Sequence, residues 1–170
     1  MTSAEGAARN ASAVVRRVAS LALASLFLTY LFWLWPRSFR TLNDERGWPV
    51  WDHALLDVTG ILAIAAGLAV AVWCATTLVR AGRGTPVPTD PPELLVAEGP
   101  YARSRNPMYL AYLAILLGEA LLLGEAALFL YVAVVAASAH VWLLAVEEPG
   151  LRRRFGEAFN EYARRVPRWL

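Results

Sequence analysis

Lysine is missing from this chain, and charge of either sign is scarce. All 16 basic residues are arginines, and charged residues make up only 18% of the 170 positions. Soluble domains contain roughly 25% charged residues and are far less apolar than this chain, which is 58% hydrophobic. These proportions exclude an ordinary soluble domain and indicate one integral membrane domain. The net charge of +2 is too small to indicate nucleic-acid binding.

Cysteine is nearly absent as well. The single cysteine, Cys74, lies in an apolar run, so the chain can form no internal disulfide, no CxxC pair and no cysteine-based zinc site. We expect Cys74 to be a small buried hydrophobic residue, and we predict no metal site.

Four apolar stretches, each nearly free of charge, are predicted to cross the membrane as helices. They cover residues 18–35, 58–79, 108–123 and 126–146. The third is short, about 24 Å long at a rise of about 1.5 Å per residue. We therefore expect it to form a hairpin with the fourth, turning near Gly124.

Two polar segments, 37–52 and 80–104, separate the first three spans and are predicted to be loops, since the second is rich in glycine, proline and charge. The predicted fold class is thus an all-α integral membrane bundle of about four transmembrane helices. Arginines cluster before the first span, between the second and third, and after the fourth. The positive-inside rule then places both termini and the 80–104 loop in the cytoplasm, and the lack of lysine favours a bacterial inner membrane.

Asn106 followed by Pro107 is typical of a helix start, because asparagine caps helices well and proline loses nothing at the first position. The next backbone amides, at Met108 and Tyr109, form the positive end of the helix and suit a carboxylate or phosphate. Arg105 adds a fixed charge beside them. Alternatively, the motif only begins the third span, with Arg105 anchoring it at the headgroups.

Glu147 and Glu148 are adjacent carboxylates at the end of apolar sequence, where anions are costly unless they meet cations. The negative end of the helix dipole disfavours them further. The compensating cation is either an arginine, such as Arg152 or Arg105, or the ammonium or sulfonium of a ligand. Pro149 is predicted to break the fourth span and start a new helix.

His140 lies one or two turns before the acidic pair, on the same helix face as Glu147. A lone histidine in an apolar helix is typically a hydrogen-bonded core residue. The other interpretation is that His140 orients a substrate or accepts a proton.

The last twenty residues show apolar positions at helical spacing, with charged residues on the other faces. This pattern predicts an amphipathic helix on the cytoplasmic surface, which either anchors the chain or covers the region between Asn106 and Glu147. The apolar positions are Leu151, Phe155, Phe159, Tyr162 and Val166.

Together these motifs resemble the isoprenylcysteine carboxyl methyltransferase family, whose relatives include membrane phospholipid methyltransferases. One motif runs from Gly99-Pro100-Tyr101 to Arg105-Asn106-Pro107-Met108-Tyr109. The other runs from Glu147-Glu148 through Phe155-Gly156 to Val166-Pro167, with a hydrophobic hairpin between the two. The resemblance covers about half of the chain. It divides the chain into residues 1–80, with the first two spans, and residues 81–170, the cofactor-binding methyltransferase region, within one structural domain.

The resemblance implies S-adenosylmethionine as cofactor and a lipophilic acceptor bearing a carboxylate, amine or thiol. We take Arg105, Tyr109 and His140 as candidate active-site residues for such a reaction. The implied cofactor contacts are Leu94, Leu95, Val96, Tyr101, Asn106, Pro107, Met108, Tyr109, Glu147 and Glu148.

Two positions depart from the eukaryotic members: Asn106 stands where they have histidine, and Leu143 where they have an arginine linked to substrate. These departures argue against a prenylcysteine carboxylate as acceptor. Two alternatives stay open. One is an NAD(P)H-dependent reductase, because membrane sterol reductases share a comparable C-terminal region, and the other is a non-catalytic membrane module.

Overall fold

The computed structural model describes residues 18, 22, 23, 25–82 and 92–170, and the predictions for the N-terminal tail and the middle of the 80–104 loop lie outside this range. The α-helices are α1 (Trp35–Arg46), α2 (Ala54–Gly82), α3 (Pro107–Leu123), α4 (Ala126–Trp142), α5 (Glu148–Phe155) and α6 (Glu157–Arg165). The structure also has two π-helices, Tyr30–Leu34 and Leu143–Glu147, and a 3₁₀-helix, Gly99–Ala102. Residues 25–29, just before the first π-helix, are α-helical as well.

The all-helical class is confirmed, and within the described ranges two helices are long and apolar enough to span a membrane. They are Ala54–Gly82, with 29 residues and a mean hydropathy of 2.3, and Ala126–Phe155, with 30 residues and a mean hydropathy of 2.1. They contain the predicted second and fourth spans. The 17-residue α3 is shorter and forms the predicted hairpin with α4, turning at Gly124 (φ 63°). A count of four spans stays a prediction.

Helices α2 and α3 pack with their backbones in contact. A Cβ atom added at Gly67 would lie 2.7 Å from the Ala111 carbonyl, and one added at Gly60 would lie 2.7 Å from the Gly118 carbonyl. Cys74 continues the seven-residue spacing of Gly60 and Gly67 and is fully buried, as predicted. Small residues are what allow membrane helices to approach this closely.

Replacing Gly67 by leucine is expected to destabilise the protein by about 3 kcal/mol, the upper end for overpacking, because backbone rather than a movable side chain blocks the space. Ala69→Leu is the matched control, since Ala69 lies on the exposed face of the same helix. Thermal unfolding in detergent measures the difference. Equal unfolding temperatures for the two variants would show that α2 and α3 do not pack as described.

The segment 37–52 is not the predicted loop, because α1 continues through it to Arg46 and ends at Gly47 in a left-handed conformation (φ 60°). A tertiary contact holds this helix. The buried Asn43 side chain accepts the N–H of Ala127 at the start of α4, at 3.1 Å. Local sequence cannot show a hydrogen bond between residues this far apart.

Pro36 lies at the start of α1 without interrupting the helical run. The Tyr30–Leu34 π-helix precedes it, and its first carbonyl accepts the N–H of Trp35. Pro36 has no N–H to donate to the Leu31 carbonyl, and the Tyr131 hydroxyl from α4 donates to that carbonyl at 2.6 Å. The distant tyrosine therefore satisfies the backbone group that the proline leaves unpaired.

Pro149 also lies within a continuous helical run, which corrects the prediction that it breaks the fourth span. The Leu143–Glu147 π-helix precedes it, and Glu148 donates its N–H to the carbonyl of Leu143, five residues back. The wider turn accommodates the proline ring, which would collide with the carbonyl four residues earlier in a regular α-helix. The run therefore carries Glu147 and Glu148 without a break into α5.

Candidate active site

Glu148 is surrounded by arginines. Its side chain is 5% exposed, and Arg168 binds both of its oxygens, with Nε 2.6 Å from Oε1 and Nη2 3.1 Å from Oε2. Arg105 Nη1 lies 3.0 Å from Oε1, and Arg152 Nη2 lies 3.9 Å from Oε2. Hydrogen bonding to this carboxylate raises the pKa of Arg168 above its ordinary value. The charge of Glu148 is thus balanced within the protein.

Glu147 has a different environment. It is partly buried, and the Tyr109 hydroxyl donates to its Oε2 at 2.7 Å. Within residues 25–82 and 92–170, no arginine or histidine forms a salt bridge with Glu147. Of the two interpretations drawn from sequence, pairing with arginine therefore holds for Glu148, whereas Glu147 has no arginine partner within the described residues.

The predicted helix start at Asn106-Pro107 is confirmed, since α3 begins at Pro107. Asn106 is 6% exposed, but its side chain does not cap α3. Its Nδ2 donates instead to the Arg168 carbonyl at 3.0 Å, and its backbone N–H donates to Ser104 Oγ at 3.1 Å. The asparagine therefore fastens the loop before α3 to the last described residues of the chain.

Those last residues, 166–170, form what we call the tail segment. The Arg105 N–H donates to the Pro167 carbonyl at 2.9 Å, and the Arg168 side chain reaches Glu148. The Trp169 ring stacks on His140, with centroids 6.0 Å apart, and its Nε1 donates to His140 Nδ1 at 3.2 Å. The tail segment thus links three regions that are far apart in sequence.

The amphipathic C-terminal sequence forms two helices, α5 and α6, which meet at Gly156, and not one. Phe159, Tyr162 and Val166 form a buried cluster with Leu95 from the loop. Burial raises the pKa of Tyr162 to about 12, so its hydroxyl stays a donor at neutral pH, and it donates to a carbonyl of the 3₁₀-helix at 2.7 Å. Helix α6 therefore packs on the loop before α3, and the two roles drawn from sequence stay predictions.

The remaining predicted cofactor residues lie in different places. Val96, Tyr101 and Met108 pack around Cys74, and Pro107 is buried at the start of α3. Leu94 is 49% exposed. The polar candidates from the loop, α3 and the acidic pair come together through their hydrogen bonds, while Val96 and Met108 pack separately around Cys74.

Sequence reasoning missed three residues that hold this site together: Ser104, Arg168 and Trp169. Ser104 Oγ donates to the Arg168 carbonyl at 3.3 Å and is buried. The available signal was an arginine and a tryptophan directly after Val166-Pro167, the end of the second motif. From sequence alone, an arginine after a basic helix is interpreted as one more surface charge. Its role becomes visible only when Glu148 is seen to lie within hydrogen-bonding distance.

Comparison with protein families agrees with the resemblance drawn from the motifs. The family model described as phospholipid methyltransferase matches residues 56–158, which is more than half of the chain. The matched range includes Asn106 and both acids and ends before the tail segment. In comparisons with curated proteins and with solved structures, nothing matches this chain.

Proposed function

The chain belongs to the phospholipid methyltransferase family, which consists of membrane methyltransferases, and from this premise we propose that it transfers a methyl group from S-adenosylmethionine to a lipophilic acceptor. The acceptor atom is an amine nitrogen, a carboxylate oxygen or a thiol sulfur. We also propose four spans, with the arginine-rich loop, the tail segment and the site on the cytoplasmic side of a bacterial inner membrane.

This proposal rests on the burial and the partners of Glu147. S-adenosylmethionine is cationic at both its ammonium and its sulfonium, and Glu147 is a partly buried carboxylate whose one hydrogen bond within the described ranges comes from Tyr109. A cationic ligand would supply the charge partner that the described part of the chain does not. Glu148 cannot take the same role without giving up Arg105 and Arg168.

The chain's own residues contribute positioning and exclusion of water. When bound, S-adenosylmethionine supplies an electrophilic methyl group whose transfer is an in-line displacement, so orientation and desolvation give most of the acceleration. Tyr109 fixes the rotamer of Glu147 through its 2.7 Å hydrogen bond. Arg105 is fixed from both ends, by the Pro167 carbonyl and by Glu148.

Proton transfer depends on the acceptor. A carboxylate or a thiolate needs no base, whereas a protonated amine must first lose a proton. Nδ1 of His140 accepts the Trp169 N–H, so in the neutral ring Nε2 carries the hydrogen and Nδ1 is the basic nitrogen. We propose a role as base for His140 only with an amine acceptor, and this role requires Trp169 to release Nδ1.

Calorimetric titration of the full chain in detergent tests the function directly. We expect S-adenosylmethionine to bind with micromolar affinity and NADPH to give no heat beyond dilution. Incubation with radiolabelled methyl donor and bacterial lipid vesicles is then expected to label the lipid extract. NADPH binding without S-adenosylmethionine binding would instead identify a reductase. Binding of neither, by protein that elutes as one folded species, would identify a non-catalytic module.

A further inference from the structure

A cleft rich in arginine lies beside the acidic pair, between α5, α6 and the tail segment. Its volume is about 340 Å³. The lining residues are Arg105, Arg152, Asn160, Ala163, Arg164 and Arg168. None of these six side chains carries a negative charge, so a ligand in the cleft would face guanidinium groups from three elements and the loop before α3.

The arginines of the cleft outnumber the carboxylates that touch them. Glu148 contacts Arg105, Arg152 and Arg168 but carries one charge. Arg164 pairs with Glu157 at 2.9 Å, and both side chains are about two-thirds exposed, at 66% and 67%. Four guanidinium groups against two carboxylates leave two positive charges uncompensated. Surface pairs such as Arg164–Glu157 are weak, so a stronger anion can displace Glu157.

Arg105 provides a second, independent observation. Its Nε is buried and has no hydrogen-bond partner in the part of the chain that the structure describes. A buried guanidinium N–H without an acceptor is costly. Arg105 lines the cleft, so an anion there would supply the missing acceptor if the guanidinium group turns toward it, where it would bind an oxyanion in a planar, two-pronged geometry.

We propose that this arginine cleft binds a phosphate monoester group as a dianion, which goes beyond the proposed methyl transfer. A phosphate monoester carries a charge of about −1.5 to −2 near neutral pH, and this matches the two uncompensated arginine charges. A phosphodiester, with one charge, satisfies only half of them. The phosphate belongs either to a lipid headgroup of the phosphatidic acid type or to a free phosphate in solution.

The test uses the full chain in detergent without methyl donor, so its result is independent of the proposed function. Inorganic phosphate, titrated at constant ionic strength against chloride, is expected to raise the unfolding temperature saturably. Native mass spectrometry is expected to show phosphatidic acid retained in preference to phosphatidylglycerol. Stabilisation by phosphate alone would identify a free anion as the ligand, and selective lipid retention alone would identify a headgroup.

Arg152→Gln and Arg164→Gln are each expected to weaken binding of the phosphate probe by about tenfold, because each removes one charged hydrogen bond. Arg154→Gln is the matched control, because Arg154 lies over Phe155 and does not line the cleft. Binding in the control should stay within about twofold of wild type. The proposal is overturned if neither probe binds, or if all three variants weaken binding equally.

Discussion

Replacing Glu147 by glutamine is expected to weaken S-adenosylmethionine binding by about 100-fold, which corresponds to about 3 kcal/mol. Glutamine keeps the size of the side chain and a carbonyl oxygen that can accept the Tyr109 hydrogen bond. It removes only the negative charge. Because Glu147 has no salt bridge within the described ranges, the variant should unfold at nearly the wild-type temperature. Calorimetric titration and thermal unfolding of the same preparation measure both quantities.

Glu148→Gln is the matched comparison, since it makes the same chemical change one residue along the chain. Here the charge is balanced by Arg105 and Arg168, so its loss should lower the stability of the folded protein. We expect about 2 kcal/mol, less than for a fully buried pair, because Arg168 still reaches water. Binding of S-adenosylmethionine should fall less than in Glu147→Gln.

The two variants together decide which acid faces the cofactor. If Glu147→Gln binds S-adenosylmethionine as tightly as wild type, Glu147 has no part in cofactor binding. If Glu148→Gln loses binding without losing stability, the roles of the two acids are exchanged. Either result contradicts the assignment made from their different partners.

Local sequence was sufficient for the apolar framework. The stretches 58–79 and 126–146 lie within the two long helices, and the hairpin turns at Gly124 as expected. Hydropathy works here because a membrane-spanning backbone must satisfy its own hydrogen bonds, which forces long apolar segments into helices. Motif order and spacing were enough to identify the family.

The prolines show where local reasoning fails. Pro149 was predicted to break the fourth span, and Pro36 lies directly before the predicted loop 37–52, but each follows a π-helical turn within a continuous helical run. Near Pro36 the stabilising group is the Tyr131 hydroxyl, 100 positions away from the carbonyl that it satisfies. A sequence window of ten residues around Pro36 does not contain that partner.

The partners of the acidic pair could not be predicted for a related reason. Sequence left arginine and ligand as equal candidates for the compensating cation, and of the two adjacent acids only Glu148 meets arginine within the described residues. The deciding group is Arg168, 20 positions after Glu148, which the helices α5 and α6 bring back to the start of α5. Geometry of this kind depends on the angle at Gly156, where the backbone adopts a positive φ of 56°.

The second large effect is expected from substitutions in the tail segment. The double variant Arg168→Gln/Trp169→Ala should lower methyl-transfer activity by about 100-fold, because it detaches the tail from Glu148 and His140 together. Glutamine cannot replace the paired contacts of Arg168 with both oxygens of Glu148. Alanine removes both the stacking on His140 and the hydrogen bond to its Nδ1.

Leu170→Ala is the control for this variant, since Leu170 is 91% exposed, and it should keep wild-type activity. Activity with radiolabelled donor and S-adenosylmethionine affinity are measured side by side, with circular dichroism to show that helix content is retained. The tail contacts Asn106 and Arg105 only through its carbonyls, so the double variant releases those contacts indirectly, by freeing the tail. Wild-type activity in the double variant would show that the site forms without the side-chain contacts of Arg168 and Trp169.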